Sequence, residues 1–129
     1  MENSRPYAVQ VLIASGPEAL DRAVLGFAFA LSAATCGADA TVILTLKGSI
    51  WAKQDVPEAR QTVNGFSSIS EYIALLRDSG AVVRFCSSCA ERGCTLDTSG
   101  KGSNPGFSYT GLVEVAIRTM QGAATTVVF

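Results

Sequence analysis

Three segments of the sequence repeat one local pattern, in which an apolar helical segment ends in Gly-Ala and is followed by a run rich in β-branched residues. The Gly-Ala pairs begin at Gly37, Gly80 and Gly122, and the runs that follow cover 41–46, 82–86 and 125–129. Glycine directly after a helix adopts the left-handed backbone conformation that closes the last turn without steric cost. Each pair therefore predicts a helix that ends there and leads into a strand.

A further apolar run at 8–14 predicts a first strand that is buried on both faces. Strands that alternate with helices form right-handed crossovers and a mostly parallel sheet that is covered by helices on both faces. The predicted fold class is therefore α/β, a three-layer α/β/α domain with a mostly parallel sheet of four to five strands. No linker divides the chain, so we expect residues 1–129 to form a single domain.

The predicted helices differ in how their apolar residues are distributed. Ser15 with Glu18, and Ser68 with Glu71, have the spacing of a capping box. The helix after Ser68 carries an apolar stripe at 69, 72, 73 and 76, and the C-terminal helix carries one at 112, 113, 116, 117 and 120. Such stripes are expected to cover the sheet. The first helix is apolar all round over 23–31, so we expect it to lie between the sheet and a neighbouring subunit.

Charge is scarce in this chain, with 10 basic and 11 acidic residues that together make up 16% of the sequence. Globular proteins use about a quarter of their residues for charge, so we expect a protein interface and a homo-oligomer. A net charge of −1 lacks the basic footprint of proteins that bind nucleic acid or anionic membranes. The longest uncharged stretch, 23–38, is shorter than the ~20 residues that cross a bilayer. With no export signal at 1–6, we expect a cytoplasmic protein.

Three of the four cysteines, Cys86, Cys89 and Cys94, follow each other closely at the predicted carboxyl end of a strand. In an open parallel sheet, reacting groups collect beyond the carboxyl ends of the strands. Residues 87–92 predict a short helix, whose free amides, beginning at Ser87 and Ser88, favour the nucleophilic thiolate form of a cysteine at its start. We therefore predict Cys86 as the reacting residue, with Cys89 as a second catalytic thiol.

Other residues are candidates for supporting roles. Cys94 is a candidate binding residue at the end of this short helix, and Lys47, which follows another strand, either faces the Cys86 thiolate or is an ordinary solvated lysine. The competing interpretation of each cysteine is a small, inert, buried side chain. A third interpretation, a thiol-disulfide pair formed by Cys86 and Cys89, matches the C-x-x-C spacing of redox sites.

We predict neither a metal nor a cofactor. The absence of histidine excludes Ser-His-Asp triads and histidine-ligated metals. Structural zinc and iron-sulfur sites normally use four ligands, and the fourth cysteine, Cys36, is expected at the opposite edge of the sheet, about 17 Å away for a strand of five residues. The metal alternatives that stay open are a site shared between subunits and one that uses Glu91.

Nearly the whole sequence resembles the DsrE/TusD sulfur-relay family. One matching stretch runs from Gly80 through Cys86 to Arg92-Gly93, and another runs from Gly106 through a Gly-Leu helix to the final Phe129. The opening 11–15, followed by a long helix, also fits the family. The resemblance implies an α/β/α domain that assembles as a trimer or hexamer. It also implies that the cysteine at position 86 carries sulfur as a persulfide, although Cys89 and Cys94 are not expected from the family pattern.

The hypothesis from the sequence is a small cytoplasmic sulfur carrier. It accepts sulfane sulfur as a persulfide on Cys86 and passes it to a thiol of a partner, so its partners are sulfur donor and acceptor proteins. Cys89 is the candidate resolving thiol, and Glu91 and Arg92 are candidate partner contacts. Whether the chain is a sulfurtransferase enzyme stays open, as do a thiol-disulfide redox protein and a non-catalytic oligomeric binding protein.

Overall fold

The structure is a computed structural model that describes residues 7–86 and 108–129. Along the chain, the described strands and helices follow in the order β1 (Ala8–Ile13), α1 (Leu20–Thr35), β2 (Asp39–Leu44), α2 (Ile69–Asp78), β3 (Val82–Cys86), β4 (Ser108–Thr110), α3 (Leu112–Met120) and β5 (Thr125–Val128). Short 3-10 helices cover Pro17–Ala19, Leu46–Ala52 and Pro57–Arg60. The five strands form one parallel sheet in the order β4-β3-β2-β1-β5. The predicted α/β/α class is confirmed.

The three Gly-Ala pairs end helices as predicted. Gly37, Gly80 and Gly122 have φ values of 98°, 86° and 74°, in the left-handed region that other residues adopt only with strain. Each glycine is followed within a few residues by a strand, namely β2, β3 or β5. These positions therefore set where the chain turns back into the sheet.

The main core lies between one face of the sheet and helices α1 and α2. Val11 of β1, Phe27 of α1 and Leu76 of α2 are all fully buried within it. The four apolar residues of the predicted α2 stripe are buried, and the Ser68–Glu71 capping box is present, with both reciprocal hydrogen bonds. Local sequence patterns thus account for this layer of the fold.

The start of α1 differs from the prediction. Its Ser15–Glu18 pair forms no capping box, because Pro17 begins a 3-10 turn and α1 starts only at Leu20, with no side-chain cap. The Glu18 carboxylate instead accepts a hydrogen bond from the backbone N–H of Gly16, at 3.1 Å. The carboxylate therefore stabilises the loop that follows β1.

Helix α3 packs on the opposite face of the sheet, and the prediction that its apolar stripe covers the sheet is wrong. The side-chain amide of Gln10, which is 2% exposed, donates to the carbonyl oxygen of Val115 at 3.2 Å. Val115 is the buried residue of α3. The large apolar residues of the stripe are 46–84% exposed: Leu112, Val113, Ile117 and Met120. We refer to these four residues as the α3 stripe.

Helix α1 also carries apolar side chains on its outer side. Leu25 and Phe29 are exposed, and the Phe29 ring contacts that of Phe129, with their centroids 5.6 Å apart. Its covering by a neighbouring subunit stays a prediction. No helix in residues 7–86 or 108–129 has both the length and the apolar character that a bilayer span requires.

Candidate functional site

The carboxyl ends of the parallel strands meet at one edge of the sheet, and Cys86 is the last residue of β3 there. Its lateral partner in β4 is Thr110, and Thr45 follows the last residue of β2 at the same edge. Open α/β sheets bind ligands at this edge. The position predicted for Cys86 from the sequence is therefore the position it occupies.

The side chain of Cys86 lies on the face of the sheet that α3 covers. Successive residues of a strand point to opposite faces. Phe85 points into the main core and packs its ring against Tyr109, with centroids 4.6 Å apart, so Cys86 and Arg84 point the other way. Cys86 is 2% exposed and is buried outside the main core.

Polar side chains contact one another on the same face of the sheet as Cys86. Glu114, in the first turn of α3, accepts a hydrogen bond from the Thr110 hydroxyl at 3.3 Å. The Arg84 Nη1 atom lies 3.9 Å from the other carboxylate oxygen of Glu114. We refer to Arg84, Cys86, Thr110 and Glu114 as the Cys86 cluster. It joins one thiol, one cation and one anion where β3, β4 and the start of α3 meet.

One hydrogen-bond donor of Arg84 has no partner within this cluster. Its Nε atom is buried, and in the part of the chain that the structure describes it has no hydrogen-bond partner. Buried polar groups are nearly always hydrogen-bonded, so an unpaired donor in a native structure requires an explanation. The contact with Glu114 is too long for a hydrogen bond and counts only as a loose ion pair.

Lys47 lies at the same edge of the sheet, beside an open cleft of about 620 Å³. The cleft is mostly apolar and is lined by Ala14, Pro17, Glu18, Leu46, Lys47, Ser49 and Ile50. Lys47 is exposed, and its charge acts on Glu18. The hydrogen bond from Gly16 is the first cause that lowers the pKa of the Glu18 carboxyl, and the charge of Lys47 adds to it.

The loops that form this cleft approach each other so closely that two positions leave no room for a side chain and require glycine. A Cβ on Gly48 would overlap the backbone carbonyl oxygen of Ile13, and a Cβ on Gly16 would lie 2.7 Å from the carbonyl oxygen of Lys47. The indole Nε1 of Trp51 donates to the Ser15 carbonyl oxygen at 2.8 Å and ties the two loops together. The cleft is therefore held in place by backbone contacts.

The other predicted site residues lie outside the described residues: Ser87, Ser88, Cys89, Glu91, Arg92 and Cys94. Cys36 is exposed at the end of α1, at the opposite edge of the sheet from Cys86, as predicted. Within the described ranges, no group of three or more His, Cys, Asp or Glu side chains is arranged to hold a metal ion.

Sequence reasoning missed the polar residues of the Cys86 cluster. A signal for Arg84 was present, since a charged residue two positions before Cys86 shares its face of a buried strand. Thr110 and Glu114 carry no comparable signal. Their place depends on the pairing of β4 with β3, which the sequence pattern does not specify.

Comparisons with known proteins identify the fold and the family of this chain. The family model of the DsrE/DsrF-like family matches residues 8–128, from the first residue of β1 to the last residue of β5. The crystal structure of the ychN protein from E. coli is similar to this chain, with a TM-score of 0.70 and 18% identity. The alignment covers 97% of this chain and 100% of that one, a likeness of fold. No curated protein shows a significant match. The chain belongs to the DsrE/DsrF-like family.

Proposed function

We propose that this chain is a sulfur carrier that accepts sulfane sulfur as a persulfide on Cys86 and transfers it to a thiol of a partner protein. Its family supports a role in sulfur relay. The observation that carries the assignment to Cys86 is the position of this residue at the carboxyl edge. There its side chain lies outside the main core and beside the polar residues of the Cys86 cluster.

The proposed transfer is an exchange between thiolates that needs no outside oxidant or reductant. In loading, the Cys86 thiolate attacks the outer sulfur of a donor persulfide, R–S–S⁻. A bond forms between Sγ and the outer sulfur, the donor S–S bond breaks, and the donor leaves as the thiolate R–S⁻. In delivery, an acceptor thiolate attacks the same outer sulfur, and Cys86 leaves as a thiolate.

Burial of Cys86 sets a requirement for this exchange. At 2% exposure its Sγ does not meet a partner directly, so transfer requires a local opening that uncovers it. Cys36 is exposed and provides an internal reference for a freely accessible thiol. We expect an alkylating reagent to modify Cys36 well before Cys86 in the native protein, and both at similar rates in denaturant.

Intact mass spectrometry after incubation with polysulfide tests the proposal. Because Cys36 is exposed and can itself react with polysulfide, the comparison is made in Cys36→Ser. We expect Cys36→Ser to gain one sulfur atom that a small thiol removes, and the double variant Cys36→Ser with Cys86→Ser to gain none. An adduct of the same size on the double variant would contradict the assignment. Loss of two hydrogens from the wild type, with a bond mapped between Cys86 and Cys89, would instead identify a thiol-disulfide protein.

The carrier assembles with further copies of itself through the α3 stripe. Four large apolar side chains exposed on one short helix form the kind of patch that marks protein interfaces. A trimer or a hexamer is the expected form.

Light scattering coupled to gel filtration tests this assembly. We expect the double variant Val113→Glu with Met120→Glu to shift the protein to a smaller molar mass, because two charges would be buried in the interface. Leu75→Glu, on the exposed side of α2, controls for a charge added at an exposed apolar position and should leave the mass unchanged. A wild-type chain that is monomeric at every concentration would contradict the proposal.

A further inference from the structure

Arg84, two residues before Cys86 on β3, has a buried hydrogen-bond donor that lacks an acceptor in the described part of the chain. This donor is the Nε–H, and the Nη1 atom of the same side chain lies 3.9 Å from the Glu114 carboxylate. Glu114 already accepts a hydrogen bond from Thr110. The Nε–H is thus an unused donor near this edge of the sheet, while the Arg84 side chain as a whole is 36% exposed.

The direction of the Arg84 side chain follows from its contacts. Arg84 and Cys86 are two residues apart on β3, so their Cα atoms are about 6.6 Å apart and their side chains share a face. Arg84 reaches toward Glu114, which lies over Thr110, the lateral partner of Cys86. The guanidinium therefore extends along the strand toward the carboxyl edge, where Cys86 ends β3.

Loading of Cys86 creates an anion that suits this donor. A persulfide extends the side chain by one S–S bond, about 2.05 Å, and ends in a sulfur that is more acidic than a thiol. Guanidinium is planar, permanently charged and weakly hydrated, which suits a large, weakly hydrated anion. Hydrogen bonds between charged partners are roughly twice as strong as those between neutral groups.

We propose that Arg84 binds the outer sulfur of the Cys86 persulfide, with its buried Nε–H as the donor. This inference rests on the proposed function and names the residue that holds the cargo. In the unloaded protein Arg84 forms an ion pair with Glu114, whereas in the loaded protein it interacts with both Glu114 and the outer sulfur. Glu114 therefore competes with the persulfide, so the two residues affect loading in opposite directions.

The test is a loading equilibrium measured by intact mass spectrometry. Each variant is made in the Cys36→Ser background, so that the exposed thiol does not add to the signal, and is incubated with glutathione persulfide and glutathione at a series of fixed ratios. The ratio that gives half loading is then determined. We expect Arg84→Met to lower the loading constant about ten- to a hundredfold, the value of a hydrogen bond to a charged group. Glu114→Gln keeps the acceptor for Thr110 and removes the competing charge, so we expect it to raise the constant.

Arg60→Met is the matched control. Arg60 forms an exposed ion pair of similar length with Asp55, at 3.8 Å, far along the chain from Cys86. The variant makes the same change of side chain and net charge as Arg84→Met. We expect its loading constant to equal that of the wild type.

The outcomes separate this inference from the proposed function. A wild-type chain that does not load refutes the carrier function and this assignment with it. A wild-type chain that loads while Arg84→Met loads equally well refutes the assignment alone. If Arg84→Met fails to fold, Arg84→Lys decides, because it keeps the positive charge and removes the Nε–H: a loading constant below that of the wild type supports the assignment, and an unchanged constant refutes it.

Discussion

The close packing at the carboxyl edge of the sheet predicts that any side chain at position 48 destabilises the protein. A Cβ at this position would overlap the Ile13 carbonyl oxygen and would lie 2.7 Å from the carbonyl carbon. The same oxygen accepts the hydrogen bond from the Thr45 N–H at 3.0 Å, and the Gly48 N–H donates to the Ala14 carbonyl oxygen at 3.2 Å. Because the obstructing atoms are backbone, no rotamer change relieves the overlap, and the two loops must move apart.

Gly48→Ala should therefore destabilise the protein by about 2–6 kcal/mol. Two weakened backbone hydrogen bonds contribute about 0.5–1.5 kcal/mol each, and the overpacking contributes about 1–3 kcal/mol. The assay is urea unfolding followed by the fluorescence of Trp51, the single tryptophan, which is buried in the same 3-10 helix.

Gly111→Ala is the control for Gly48→Ala. Gly111 has an ordinary φ of −107°, and no atom lies within 4 Å of its Cβ position among the described residues. It precedes α3 as the N-cap, where alanine costs less than about 1 kcal/mol relative to glycine. A Gly48→Ala protein as stable as Gly111→Ala would refute the close packing of the two loops and the rigid cleft with it.

Three further predictions follow from side-chain contacts. Ser68→Ala removes the capping box that Ser68 forms with Glu71 and should cost about 1 kcal/mol in urea unfolding. Gln10→Ala removes the hydrogen bonds that hold α3 on the sheet, so hydrogen exchange should accelerate over 112–120 and stay unchanged in α2. The pKa of Glu18 is lowered from 4.5, chiefly by the hydrogen bond from the Gly16 N–H. The ionised carboxylate therefore stabilises the folded protein fully above pH 4.5, and this stabilisation is lost as the pH falls through the lowered pKa. Wild type should exceed Glu18→Gln in stability at neutral pH, and acid titration of the two unfolding curves should bring them together.

The sequence predicted those parts of the fold that local chemistry decides. A left-handed residue after a helix favours glycine whatever surrounds it, so Gly37, Gly80 and Gly122 marked the ends of helices correctly. The Ser68 capping box depends only on residues within one turn, and it formed as predicted. The position of Cys86 followed from the same local rule, since it ends the strand that begins after Gly80.

Features that depend on distant contacts were not predictable in this way. Helical periodicity showed that the apolar residues of α3 share one side, but it did not show which side meets the sheet. That choice involves Gln10, which contacts Val115 from 105 positions earlier in the chain. Arg84 likewise meets Glu114 only because β4 pairs with β3, and this strand order is a property of the whole sheet.

Helix α3 links the proposed assembly to the proposed chemistry. Its first turn supplies Glu114 to the Cys86 cluster, while the α3 stripe on its exposed side is the surface proposed to meet another copy. Val115 is the one buried residue of this nine-residue helix, so intramolecular packing alone holds α3 weakly and whatever covers the stripe also helps to fix its position. The Arg84–Glu114 separation of 3.9 Å is already at the limit of an ion pair. A small shift of α3 would therefore change how strongly Glu114 offsets the positive charge of Arg84, and with it the attraction of Arg84 for a persulfide on Cys86. If the proposed assembly and the proposed carrier function both hold, we therefore expect assembly through α3 to tune the affinity of Cys86 for its cargo.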